Sequence, residues 1–110
     1  MWGNSLARLV QFVLLLTSED RRRRRHIAEK GKILKFAVQY ETKVKDRWRP
    51  VVRYDTAHGY AHKHVFYPDG RQRKSRMQIL NYNLALKVAE DDVRRNWPRY
   101  KGQYFERGNP

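Results

Sequence analysis

The chain contains no cysteine. That excludes disulfide staples, thiolate nucleophiles and cysteine-ligated zinc, and it fits a reducing cytoplasm. Acidic residues are also scarce: 11 Asp and Glu stand against 25 Lys and Arg, for a formal net charge of +14. A domain this basic repels itself and attracts polyanions. Nucleic acid, with RNA favoured, is the leading partner, because each neutralised phosphate releases counterions and adds affinity without sequence readout. The apolar run from Leu9 to Leu16, broken by Gln11, is far shorter than the roughly 20 residues that span a bilayer. Arg8 precedes it, but Arg21 to Arg25 follow it, and no small-residue cleavage site appears, so a signal peptide is not expected. A cytoplasmic chain without a membrane span is expected instead.

What is present suits one compact domain. The 110 residues are 40% hydrophobic and 13% aromatic, enough for a real core. Residues 1–30 read as an N-terminal helical, basic extension. Leu6, Leu9, Val10, Val13 and Leu14 or Leu16 recur at helical spacing, with Asn4 or Ser5 as cap. The five arginines Arg21 to Arg25 read as an exposed basic stretch or an RNA-binding arm.

Residues 31–110 read as a single α+β domain, a small antiparallel sheet of three to four strands packed by a C-terminal helix. From Ile33 the alternation is strict, with Leu34, Phe36, Val38, Tyr40 and Val44 on one face of a strand. A turn at Lys45-Asp46-Arg47 leads into a second strand carrying Trp48, Val52 and Tyr54, and residues 60–67 make a third. Pro68-Asp69-Gly70 is a turn, and residues 71–77 are a fourth strand or a loop. Tyr82, Leu86, Ala89, Val93 and Trp97 mark an amphipathic helix opened by Asn81 and stopped by Pro98. Glu90-Asp91-Asp92 with Arg94 and Arg95 read as its solvated face.

Residues 53–64 carry the chemistry: Arg-Tyr-Asp-Thr-Ala-His-Gly-Tyr-Ala-His-Lys-His. The run gathers His58, His62 and His64 beside Arg53 and Asp55, and histidine is the side chain that changes charge between pH 5 and 8. Three uses fit. One is RNA cleavage without metal, with two histidines as acid and base and Arg53 on the developing phosphorane charge. Another is a metal site of Asp55, His58 and one of His62 or His64, whose spacing matches no strong metal motif. The third is purely structural, an Arg53–Asp55 ion pair with hydrogen-bonded histidines. No metal or cofactor is assigned on this reading. Lys63, Arg71, Arg73, Lys74 and Arg76 flank the run as phosphate contacts, and Tyr60 offers a ring to an unpaired base.

The stretch from Trp48 to His64 resembles a widespread, uncharacterised family of small prokaryotic proteins, over about residues 33–105 and including Asn96-Trp97 and Tyr100. More distantly, residues 53–64 are similar to the TumE-type toxins of toxin–antitoxin loci, in which an Arg-Tyr-Asp run precedes spaced histidines. That resemblance implies a small toxin-like protein acting on RNA or a nucleotide, neutralised by an acidic antitoxin, with Arg53, Asp55, His58, His62 and His64 as its functional residues. The expectation is therefore a toxin-like, RNA-directed protein, with a metal-independent ribonuclease as its most specific form. The alternatives are a non-catalytic nucleic-acid-binding module and a partner-binding structural protein.

Overall fold

The computed structural model describes residues 6–108. Six strands form one antiparallel sheet in chain order: β1 (Arg8–Thr17), β2 (Asp20–Glu29), β3 (Lys32–Val44), β4 (Arg47–Asp55), β5 (His62–Phe66) and β6 (Gln72–Arg76). One helix, α1 (Tyr82–Arg107), follows and covers one face of the sheet. The α+β class and the C-terminal helix are as the sequence suggests. The strand count is six rather than three or four, and the N-terminal helix is replaced by the β1–β2 hairpin.

The physical reason lies in the pattern of residues 8–29. An almost continuous apolar run satisfies a helical period and a period of two equally well, so local pattern cannot separate them. Pairing decides: β2 is bonded along its length to β3, with Arg22 opposite Tyr40, Arg24 opposite Val38 and His26 opposite Phe36. β1 then adds to β2, with Leu14 opposite Arg22. The arginine block thus alternates across the sheet. Arg22 faces the helix and meets Glu90 at 3.2 Å, whereas Arg21, Arg23 and Arg25 point to the other face. The expected cap at Asn4 or Ser5 lies outside the described residues.

Strands β3 to β5 follow the alternation. Phe36, Val38, Tyr40, Val52 and Tyr54 are buried against Ala85, Leu86, Ala89, Val93, Tyr100 and Tyr104 of α1. The β3–β4 turn holds Lys45 and Asp46 at positive φ, 53° and 63°, the geometry of a two-residue hairpin whose twist matches its strands. Tyr40 pairs with Val52 but Glu41 pairs with Pro50, so Val51 is the extra residue of a bulge. The shift turns Trp48 onto the face opposite α1, where the Arg21 guanidinium stacks on it at 4.2 Å. Residues 72–76 are a strand, and Gly70 takes φ 90° in the preceding turn while its N–H donates to Tyr67 O at 2.9 Å.

Asn81 caps α1 by accepting from Leu84 N–H at 3.1 Å. The helix does not stop at Pro98 but continues to Arg107. An interior proline removes one helical hydrogen bond and costs about 3 kcal/mol. Burial of Tyr100 and Tyr104 beyond it offsets that, at about 1.5–3 kcal/mol for each large side chain.

Two carboxylates, Asp20 buried and Asp92 half-buried, lock the helix to the sheet. Asp20, 1% exposed, accepts from Thr17 Oγ1 at 2.6 Å, Tyr40 Oη at 2.6 Å, Thr42 Oγ1 at 2.9 Å and Lys101 Nζ at 3.0 Å. Burial alone raises its pKa, but these four donors together outweigh it and hold the group below the usual 3.8. Asp92 accepts from the hydroxyls of Tyr54 and Tyr100 and from Asn96 Nδ2 at 2.7 Å. Asp92 and Glu90 are therefore docking groups, not the solvated helical face that the charge pattern suggests.

Candidate functional site

The β4–β5 register sets Arg53 opposite His64 and Asp55 opposite His62. Paired residues share a face, so all four project from the side opposite α1, called here the open face. Lys63, between the two histidines, points the other way, and its Nζ donates to Tyr100 Oη at 2.7 Å. Period-two alternation within one short strand thus separates the imidazoles from the lysine.

Asp55 is the hub. Its Oδ1 lies 3.3 Å from His62 Nδ1 and its Oδ2 lies 3.4 Å from both His64 Nε2 and Arg53 Nε. Ala57 N–H also donates to Oδ1 at 3.3 Å. His62 Nδ1 additionally lies 3.4 Å from Asp55 O. The second ring nitrogen of His64, Nδ1, meets Gln72 Oε1 at 2.8 Å. His64 Nε2 and Arg53 Nε are buried and form no hydrogen bond. The Arg53 guanidinium lies over the Phe66 ring at 5.1 Å.

The rings form a continuous row from Tyr60 along β5, tilted from Tyr60 to His64 and stacked between His64 and Phe66. His62 lies 5.4 Å from His64 and 4.5 Å from Tyr60, and His64 lies 6.3 Å from Phe66, all between ring centroids. Both histidines are buried, at 4% and 6% exposure, although they lie on the open face. Tyr60 packs on His62 and Gln72 of β6 bonds to His64. His58 is exposed in the loop after β4, its ring 5.5 Å from that of His62.

The structure brings together Arg53, Asp55, His62 and His64, with His58 and Tyr60 at the rim. Lys74 and Arg76 join them, paired with His64 and His62 across the β5–β6 ladder; Arg76 lies over Tyr60 at 4.6 Å. Three candidate phosphate contacts fall elsewhere. Lys63 faces the helix, Arg73 pairs with Val65 on that same side, and Arg71 sits in the β5–β6 turn bonded to Asp69 Oδ2 at 2.7 Å.

Sequence reading missed the arginines of β2. A cavity of about 500 Å³ on the open face is lined by Gln11, Val13, Arg23, Arg25, Gln39 and Arg53. A second, of about 300 Å³, is lined by Arg25, Lys35, Ala37, Arg53, Asp55 and Thr56. Arg25 and Arg53 border both, so a cationic groove runs from β1 to Asp55. The signal existed: once residues 21–25 are a strand, alternation alone sends Arg21, Arg23 and Arg25 to one face. His26 pairs with Phe36, whose face turns to the helix, and also borders the second cavity. Burial, reinforced by Arg24, lowers its pKa below 6.5.

Fold and site together define a small α+β protein with a buried histidine–carboxylate centre at the end of a cationic sheet groove. The chain belongs to the DUF7718 family, a domain of unknown function whose model matches residues 7–110. Strands β1 and β2, which the resemblance over residues 33–105 left out, are therefore part of the family's domain. No curated protein and no solved structure matches the chain. Among the described residues, no helix is long and apolar enough to cross a membrane.

Proposed function

We propose that this is an RNA-directed, toxin-like protein that holds a phosphate backbone along the open face of its sheet. The observation that carries the reading is the groove itself. Arg23 and Arg25 line its length, Arg53 stands where it reaches Asp55, and Lys74 and Arg76 extend the positive rim past the histidines. Guanidinium groups present forked donors that match phosphate oxygens, which makes arginine the residue of choice for such a surface. Tyr60, 38% exposed at the end of the path, provides a ring for an unpaired base, so a single strand fits better than a duplex.

Cleavage is the second reading, favoured by the position of His58 and His62 beside the groove and by the likeness of residues 53–64 to TumE-type toxins. The acid–base pair differs from a His62/His64 pair. His64 has one nitrogen toward Asp55 and the other on Gln72 and is buried, which keeps it from substrate. His58, exposed at the rim, is the imidazole that can reach a 2′-hydroxyl or a leaving oxygen, with buried His62 5.5 Å behind it.

A toxin-like role also calls for a neutralising partner, and β1 is where one fits. It is the edge of the sheet, with Leu9, Val13 and Leu15 exposed on one face and Val10, Phe12 and Leu14 on the other. An unpaired edge with apolar side chains is a template for an added strand. The arginines of β2 alongside favour an acidic one.

The test incubates the purified chain with labelled single-stranded and duplex RNA over a range of salt, with and without EDTA. Binding to single strands that weakens steeply with salt is expected. Cleavage that persists in EDTA and is lost in His58→Ala establishes the ribonuclease reading. An absence of both binding and cleavage overturns the proposal.

A further inference from the structure

We propose that Asp55, His62 and His64 form a binding site for a divalent first-row transition ion, with zinc the best match. One donor atom from each residue can be chosen so that all three lie within 4.8 Å of one another, and the nitrogens nearest the carboxylate are His62 Nδ1 and His64 Nε2. Two imidazoles and a carboxylate are a sufficient donor set for zinc, with a further position left open.

The distances fit coordination better than hydrogen bonding. Charge-assisted hydrogen bonds between imidazolium and carboxylate run at about 2.7–2.9 Å. Here His62 Nδ1 and His64 Nε2 stand 3.3 and 3.4 Å from the Asp55 oxygens. Donors at about 2.0–2.1 Å from a tetrahedral ion are separated by roughly 3.3 Å along each edge. Each imidazole nitrogen thus stands from its nearest carboxylate oxygen, Oδ1 for His62 and Oδ2 for His64, at the spacing of two ligands on one ion.

The tautomer of His64 makes the same point independently. Gln72 Oε1 accepts at 2.8 Å from Nδ1, so in the neutral ring the proton is on Nδ1 and Nε2 carries the lone pair. That lone pair belongs to a residue only 6% exposed and faces the Oδ2 lone pairs of Asp55, and Nε2 forms no hydrogen bond. Two acceptors facing each other in a buried site repel unless a cation sits between them. A histidine ligand whose other nitrogen donates to a carbonyl is the usual way in which a protein sets the metal-binding tautomer. Gln72 plays that positioning role.

Two features shape the site further. Asp55 and Arg53 line the cavity of about 300 Å³, which gives the ion's remaining position a route to water or a phosphate oxygen. The Arg53 guanidinium at 3.4 Å from Oδ2 opposes a second cation, so the ion displaces that contact and affinity is moderate. The site takes its ion whether or not RNA is the polyanion in the groove.

The experiment uses the full chain, stripped with chelator and dialysed, then titrated with zinc by calorimetry and with cobalt(II) by visible absorption. One saturable equivalent and the absorption bands of tetrahedral cobalt are expected. Gln72 is exposed, so Gln72→Ala should fold normally and weaken binding by about 10–100-fold, while His64→Ala removes it. Long-range imidazole NMR should show His64 protonated on Nδ1 only, with the Nε2 resonance moving on zinc addition. The proposal is overturned by a chain that takes up no equivalent, by binding unchanged in Gln72→Ala, or by a His64 that is doubly protonated and blind to zinc. Should His64→Ala fail to fold, the Gln72 variant and the NMR signal decide alone.

Discussion

Lys101 Nζ lies 3.0 Å from Oδ2 of Asp20, across 81 residues of sequence. The contact ties the C-terminal half of α1 to the start of β2, and through Thr42 and Tyr40 to β3. It explains how a hairpin that looked separable is held in the domain. Asp20 is the one acceptor that the turn, two neighbouring strand positions and the helix share. Its loss leaves several buried donors without a partner.

Asp20→Asn is therefore expected to destabilise the fold by about 2–3 kcal/mol at pH 7, measured by urea unfolding. The pH dependence has a definite sign. The folded pKa of Asp20 lies below 3.8, so its contribution is present above the unfolded value and is lost as pH falls through the folded one. Wild-type stability should drop in that acid range, and the variant's curve should be flatter there. Parallel curves would remove Asp20 as the origin.

Tyr54→Phe deletes one of the two phenolic donors to Asp92 and should cost about 1–2 kcal/mol in the same assay. Burial, with the Asp92 carboxylate adding to it, pushes the Tyr54 hydroxyl far above its ordinary pKa of 10.0, and Tyr40 is raised for the same reasons by burial and Asp20. The unfolded chain ionises both near pH 10, so stability should fall as pH rises above that value. An ultraviolet titration should show these two phenols silent until alkaline unfolding. Their early ionisation in the folded chain would contradict the packing.

The legibility of this fold followed the clarity of its periods. β3 and most of β4 were readable because Phe36, Val38 and Tyr40 alternate with small or polar residues and the sheet is covered on one side only, but the bulge at Val51 that turns Trp48 over left no local trace. β1 was not, because an edge strand with Leu9 to Leu16 apolar on both faces carries no period of two. Nothing local marked Arg21 to Arg25 as a strand either; its pairing with β3 and the Glu90 contact of Arg22 are tertiary. The site was legible as far as Arg53, Asp55, His62 and His64, since alternation in adjacent strands brings them to one face. Gln72, Arg23 and Arg25 arrive from other strands, and their register is invisible in sequence.

Pro98→Ala should stabilise the protein by about 1–3 kcal/mol, read as a shift in thermal midpoint. Pro98 lies inside α1, where alanine restores a donor for the carbonyl of Arg94 and removes the ring clash. A neutral or destabilising result would mean that the helix geometry Pro98 imposes is what seats Tyr100 and Tyr104 on the sheet.

The groove makes a quantitative claim about salt. For single strands the logarithm of the binding constant falls by about 0.7 per neutralised phosphate for each decade of salt. Arg23 and Arg25 both line the open-face cavity, so Arg23→Ala/Arg25→Ala should lower the slope by roughly 1.4 and weaken binding to all sequences alike. Arg94, exposed on α1 and paired with Asp91 at 3.5 Å, lies on the opposite side of the sheet. Arg94→Ala/Arg95→Ala, at two exposed positions of α1, removes the same two charges from the molecule and should leave the slope unchanged. Equal losses from both sides would show that RNA responds to net charge alone, with no path along the open face.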